Sequence, residues 1–189
     1  MNPIVRYFVG LIQLLGEIRI WVVSRGISNS SMRKRFFTKI VKKQVGEFGT
    51  DLKVAGMCRL NKSVALKNNV SLNGMEVQGS GKVTIGDNFH SGKEVLLITQ
   101  NHNWKNASSI PYDEKIIPTE IVIEDNVWIG SRVVIVGNVT IGEGSIIQAG
   151  SVVVTDIPPL SIAGGHPATA FSTRDEAHYN ECKRLGKVY

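Results

Sequence analysis

Between Ile123 and Pro158 the chain repeats every six residues. Ile123, Ile129, Ile135, Ile141, Ile147 and Val153 stand six apart without a slip. Small or turn-forming residues fill the places around them: Gly130, Ser131, Gly142, Ser145, Ala149, Gly150 and Ser151. Six is a multiple of the two-residue period of a strand and far from the 3.6 of a helix. The pattern therefore predicts a short strand and a tight turn, repeated, with one aliphatic residue per unit pointing inward. Gly, Asn, Asp and Ser occupy the bends. Three units make a triangular coil, and coils stacked about 4.8 Å apart would share one apolar column. A second six-spaced series, Val127, Val133, Val139, Ser145, Ser151 and Ile157, is mostly small or β-branched. The expected class is all-β, a parallel solenoid.

The pattern changes elsewhere. Over residues 3–27, Ile4, Phe8, Leu11, Leu15, Ile18 and Val22 follow helical spacing, with Arg6, Gln13 and Glu17 on the opposite side. Ser28, Asn29, Ser30 and Ser31 read as a break and a cap. Residues 32–45 are basic, with Phe36, Phe37, Ile40 and Val41 interleaved. Residues 1–45 thus form a basic, amphipathic helical flank. Two roles remain open for it: a cap over the first coil, or a docking face for an anionic membrane. A membrane span is the least favoured role, because charges interrupt every window of eighteen. The solenoid is expected over 46–171. Its early coils are weaker: Val64 and Val70, Leu66 and Leu72 keep the beat, and the GSG run at 79–81 shifts it. Residues 101–119, with Pro111 and Pro118, cannot be a coil and should loop out before Ile121 re-enters. The beat ends near Pro158, and 172–189 read as a polar tail with room for a short helix.

Charge sharpens this division. Residues 1–45 hold nine Lys or Arg against the single acid Glu17, while 46–189 hold thirteen against fifteen acids. The solenoid is therefore not a nucleic-acid surface. Cys58 and Cys182 are too few and too far apart for a disulfide framework, so a reducing cytoplasm is the default. No signal peptide is evident.

The candidate chemistry is sparse. Of His90, His102, His166 and His178, His102 opens the looped-out segment directly after a strand-like run. An imidazole held there by a rigid coil can act as general base towards a hydroxyl. It can equally be a loop histidine bonded locally. His90 is a candidate for substrate contact. No pair has metal-site spacing, so no metal is expected. Trp128 should point outward from its narrow coil, onto a ligand or a neighbouring chain. Ala149 and Gly150 leave room at a turn.

These strings, IGDNFHSG, NHNW, IPYD, IEDNVWIGSRVVI and VTIGEGSIIQAGSVVVTDIPPLSIAGGHPA, together resemble the hexapeptide-repeat acyltransferases. Those enzymes have a left-handed parallel β-helix. The resemblance covers about residues 60–171. It is closest to the branch with surface-polysaccharide, galactoside, maltose and xenobiotic acetyltransferases. It implies transfer from acetyl-CoA, directly and through a ternary complex. The family's catalytic histidine falls on His102, and its tryptophan, beside the acyl and pantetheine channel, on Trp128. Its oxyanion donor falls on the backbone N–H of Ser131. Coenzyme A would lie along Ala149 and Gly150. A homotrimer with sites between chains is also implied. The chain departs from the pattern where relatives carry cations for the cofactor phosphates: Thr155 and Thr169 stand there, with Arg174 as a substitute from further on. The continuation Asn103–Trp104 argues against an antibiotic acceptor.

With the basic flank, the resemblance points to a sugar hydroxyl on a surface polysaccharide or glycolipid precursor, handled in the cytoplasm at or near the inner membrane face. Asn101, Trp104, Tyr112 and Asp113 join His90 as candidate acceptor contacts. N-acetylation of an amino sugar, a non-catalytic scaffold and a metal-dependent lyase or hydratase are the alternatives.

Overall fold

A computed structural model describes Gly26 and residues 29–189. The helices expected over 3–27 otherwise lie outside the described residues. The rest is a parallel β-solenoid of about six coils with three faces.

The first face stacks β1 (Glu47–Phe48), β3 (Val64–Leu66), β6 (Val83–Ile85), β11 (Ile121–Ile123) and β14 (Val139–Ile141). The second stacks β2 (Lys53–Gly56), β4 (Ser71–Asn73), β7 (His90–Ser91), β12 (Trp128–Ile129), β15 (Ile146–Ile147) and β17 (Ser161–Gly165). It is closed by the antiparallel β18 (Ala168–Thr173). The third stacks β5 (Met75–Gln78), β8 (Val95–Ile98), β13 (Val134–Val136) and β16 (Val152–Val153). The chain visits the faces in that order, once per coil.

The register explains the six-residue beat. Ile123 pairs with Ile85 below and Ile141 above, and Ile141 bridges to Ile157. One aliphatic column therefore runs through successive coils. The second series also points inward, which corrects the expectation of one inward residue per unit. Val127, Val133, Val139, Ser145, Ser151 and Ile157 are all buried beside the first series. In a short strand, residues two apart share a face, so the residue two before each main aliphatic must also face the core. Ser145 and Ser151 are accommodated because their hydroxyls donate to the carbonyls of Pro158 and Gln148, both at 2.8 Å.

Asparagines turn the edge between the first and second faces. Asn69, Asn88 and Asn126 have positive φ, the left-handed region that Asn tolerates better than most residues. Their side chains form a ladder: Asn69 donates to Asn88, and Asn88 to Asn126, each at 2.9 Å.

The polar segment does leave the solenoid. It exits after β8 as an antiparallel arm of β9 (Gln100–His102) and β10 (Ile116–Pro118), then returns to β11. At the lower end, helix α1 (Ser30–Gln44) packs on β2 and buries Phe37 and Val41. At the upper end, α2 (Glu176–Arg184) buries no side chain of its own.

Candidate functional site

His102 ends β9, close to the root of the arm. Thr99 anchors that root: it is buried, and its N–H and hydroxyl both donate to the Gln78 carbonyl, at 2.8 and 3.0 Å. The ladder then sets His102 opposite Ile116. Beyond it, Asn103 and Asp113 clasp the arm. Asn103 Nδ2 donates to the Asp113 carboxylate at 2.8 Å, and the amides of Ser108 and Lys115 donate to the same group. The Lys115 amide, with Asn103 and Ser108, holds the Asp113 carboxyl below its usual range against a smaller desolvation effect. The Tyr112 ring stacks on His102, with centroids 3.8 Å apart and planes 16° apart. That stacking fixes the imidazole plane while His102 stays exposed. The Asn101 amide oxygen is occupied by the His102 N–H at 2.8 Å.

The arm is apolar where nothing covers it. Trp104 is 65% exposed, Ile110 98%, and Ile116 and Ile117 40% each. Several large apolar side chains exposed on one arm make it a candidate contact surface.

A different edge carries Ser131. Between the second and third faces, the turns stack as Gly92–Glu94, Gly130–Arg132, Gln148–Gly150 and Gly164–Gly165. The Ser131 hydroxyl accepts from the Lys93 amide at 3.0 Å, and its carbonyl accepts from the Gly150 amide at 2.9 Å. Its own N–H meets no acceptor among the described residues. Above it, Ala149 and Gly150 are exposed, and a Cβ built on Gly150 would meet nothing within 4 Å. Below it lies a cavity of about 670 Å³, whose lining includes Phe37, Met57, Asn73, Met75 and Lys93. The edge is thus a strip of small residues above (Ala149 and Gly150), an unengaged N–H in the middle and a cavity beneath.

Trp128 and His90 face outward as neighbours on the second face, paired in β12 and β7. The C-terminal segment folds over them. His90 Nε2 lies 3.3 Å from the Tyr189 carbonyl oxygen, and the two rings are 5.3 Å apart. Trp128, His178, Cys182 and Tyr189 line a second groove of about 670 Å³. Arg174 sits on the edge between the first and second faces, with Nε donating to the Gly144 carbonyl at 2.6 Å. Thr155 is exposed two coils above the arm, on the edge between the third and first faces. No group of three or more His, Cys, Asp or Glu gathers among the described residues.

One chain therefore does not bring the candidates together. Asn101, His102, Trp104, Tyr112 and Asp113 share the arm at one edge. Ser131, Ala149 and Gly150 share another edge, His90 and Trp128 a face, and Arg174 stands apart. Sequence reasoning missed Gly92 and the lower cavity. A lone glycine in a turn-rich chain carries little signal, and the cavity joins a helix to three coils far apart in sequence.

Residues 120–155 match the family profile of the bacterial transferase hexapeptide, six repeats. The galactoside O-acetyltransferase of Escherichia coli is 40% identical over 100 residues, 51% of this chain and 48% of that one. A solved galactoside acetyltransferase in complex with coenzyme A superposes with a TM-score of 0.68 at 25% identity, covering 88% of this chain and 82% of that one. A hexapeptide-repeat acetyltransferase from Vibrio cholerae does so with 0.63 at 27% identity, covering 82% and 86%. The matched stretch spans under half the length of the Escherichia coli relative, as it does for a putative acetyltransferase of Schizosaccharomyces pombe that is 46% identical over 86 residues, 46% of this chain and 41% of that one. The repeat, the three-faced solenoid and these matches define the class. In repeat and fold the chain is similar to the hexapeptide-repeat transferases, the galactoside acetyltransferases among them.

Proposed function

We propose that this chain is an acetyl-CoA-dependent acetyltransferase whose acceptor is a sugar hydroxyl. Ser131 carries the reading. Its free N–H lies between the small residues Ala149 and Gly150, which leave room for an extended pantetheine arm, and a cavity able to hold the acceptor. No cation stands at the two positions expected to meet the cofactor phosphates: Thr169 lies opposite Gly164 at the top of the Ser131 edge, and Thr155 lies on the edge of the arm.

Acetyl-CoA, when bound, supplies the activated thioester. The His102 imidazole takes the proton of the acceptor hydroxyl as its oxygen attacks. The Ser131 N–H donates to the carbonyl oxygen of the thioester as that oxygen gains charge. The thiolate leaves with a proton returned by the imidazole. His102 and Ser131 stand on different edges of one solenoid, so the reading requires the arm of one chain to meet the Ser131 edge of another. The exposed Trp104, Ile116 and Ile117 support such a contact, and a closed ring of three satisfies it. The acceptor class, a surface-polysaccharide or glycolipid precursor, rests on the basic flank.

The test is thioester turnover. The protein is supplied with acetyl-CoA and a panel of sugars, and thiol release is followed together with product mass. Release that depends on a sugar and falls about 10²–10⁴-fold in His102→Ala is expected. Failure to release thiol with any acceptor, together with no rise in melting temperature on adding acetyl-CoA, overturns the reading.

A further inference from the structure

We propose that the outward face of α1 is a docking surface for an anionic phospholipid bilayer. The inference is independent of the acyl-transfer chemistry.

The helix is fastened across the lower end of the solenoid. The Thr38 hydroxyl accepts from the Val54 amide at 3.0 Å, so the helix supplies an acceptor to the open edge of β2. Gln44 accepts from the Leu60 amide and donates to the Cys58 carbonyl, each at 3.3 Å. The Lys62 ammonium donates to the last carbonyls of the helix, at 2.9 Å from Lys43 and 2.8 Å from Val45. With Phe37 and Val41 buried against the first coil, the orientation of the helix is fixed.

The opposite face follows from the helical turn of about 100° per residue. Arg35, Lys39, Lys42 and Lys43 fall within about 60° of the direction away from Phe37 and Val41. All four are exposed, and none has an ion-pair partner among the described residues. The helix holds no acid at all. Met32, 58% exposed, falls on the same face. Lys42 lies over the Phe48 ring at 5.0 Å, which brings a partly exposed aromatic to the rim.

Charge complementarity selects the partner. Residues 46–189 carry more acids than bases, so the net positive charge belongs to residues 1–45, of which this helix is the described part. A helix face of exposed cations with no acid among them suits a planar anionic surface. The apolar stripe of the helix is already buried in the protein. The contact is therefore electrostatic adsorption, without insertion and sensitive to salt. No helix among the described residues is long and apolar enough to cross a membrane. If three chains close into a parallel ring, three such ends face the same side and the adsorption is multivalent.

Vesicle sedimentation of the full chain tests this. Vesicles of phosphatidylcholine are compared with vesicles containing about a third phosphatidylglycerol, from about 0.1 to about 0.5 M salt. The wild type should pellet with the anionic vesicles only and should be released at high salt. The Arg35→Gln, Lys39→Gln, Lys42→Gln, Lys43→Gln variant should partition roughly 10²–10³-fold more weakly. Gln avoids setting an acid against the C-terminal dipole of the helix. A second variant interchanges Lys and Arg at the same four places and should keep binding. Equal binding to neutral vesicles, binding unmoved by salt, or full retention in the Gln variant overturns the proposal. So does displacement of the vesicles by an equal charge of short duplex DNA. The salt and neutral-lipid arms use the wild type and stand even if a variant fails to fold.

Discussion

The Ser131 amide depends on a residue one coil below it. A Cβ on Gly92 would lie 2.5 Å from both the nitrogen and the hydroxyl oxygen of Ser131, and 2.8 Å from the Gly130 carbonyl carbon. Backbone atoms in a parallel ladder cannot retreat singly, so Gly92→Ala must push the Ser131 turn outward. If that N–H stabilises charge on the acyl oxygen, the cost falls on turnover: kcat should drop about tenfold or more, as for a displaced oxyanion donor. The Ala149–Gly150 strip proposed to take acetyl-CoA lies above the disturbance, so KM for acetyl-CoA should change less. Ser131→Ala is the opposite experiment. It removes the hydroxyl and its 3.0 Å bond from the Lys93 amide but leaves the N–H in place. Its kcat should stay within a few-fold of the wild type. Steady-state kinetics on the two variants separates a backbone role from a side-chain one. A large loss in Ser131→Ala with none in Gly92→Ala would refute the backbone role.

Elements were legible in the sequence where their cores are local. The six-residue beat reports the solenoid because each coil stacks like on like, as Ile85, Ile123 and Ile141 do. Ser145 was harder to read, since a small residue looks like turn filler until the residue two places on, Ile147, is known to face inward. The arm was visible as a break over 101–119, but its β9–β10 pairing was not, because Ile116–Pro118 gives no alternation. The docking of α2 left no apolar signal, for it is held by polar groups. Tyr179 and Lys183 both donate to the Glu143 carboxylate, and Asn126 donates to the Tyr179 oxygen. Burial opposes the charge on Glu143, but the bonds from Lys183 and Tyr179 outweigh it and hold its carboxyl below the usual range. Burial and that same carboxylate push the Tyr179 phenol up, and the bond to Glu143 raises the Lys183 ammonium. The depressed acid contributes above its ordinary value and is lost as pH falls through its folded one; the raised Lys183 contributes at neutral pH and is lost in strong alkali. Protection of the α2 amides against hydrogen exchange, corrected for intrinsic rates, should therefore hold across the neutral range and fall below about pH 4. Glu143→Gln should lower it several-fold at neutral pH while the solenoid strands keep theirs. Unchanged protection in Glu143→Gln would mean that this cluster does not hold the helix.

At the scale of the molecule, the two halves of the proposed site stand on separate edges of one chain. The arm presents His102 with exposed apolar residues around it, and the Ser131 edge presents an amide and a strip of small residues on a different edge from His102. Completing either half within the same solenoid would require the arm to cross a face built of paired strands. Meeting across an interface requires only that two rigid edges come together, and a ring of three closes without leaving an unmatched edge. Complementation between two inactive variants tests this directly. His102→Ala removes the base but keeps the strip. Ala149→Trp fills the strip but keeps the base, and position 149 is exposed, so the fold should tolerate it. Each homogeneous protein should be inactive, and light scattering should give three chains for both. When equal amounts are unfolded and refolded together, a shared site is intact when an unaltered arm meets an unaltered edge. Random assembly makes that so in about a quarter of sites. Recovery of about a quarter of wild-type activity would establish that each site is built from two chains. Mixed trimers with no recovered activity would mean that His102 and the Ala149 strip serve one another within a single chain, and the arm would then have to move to reach it.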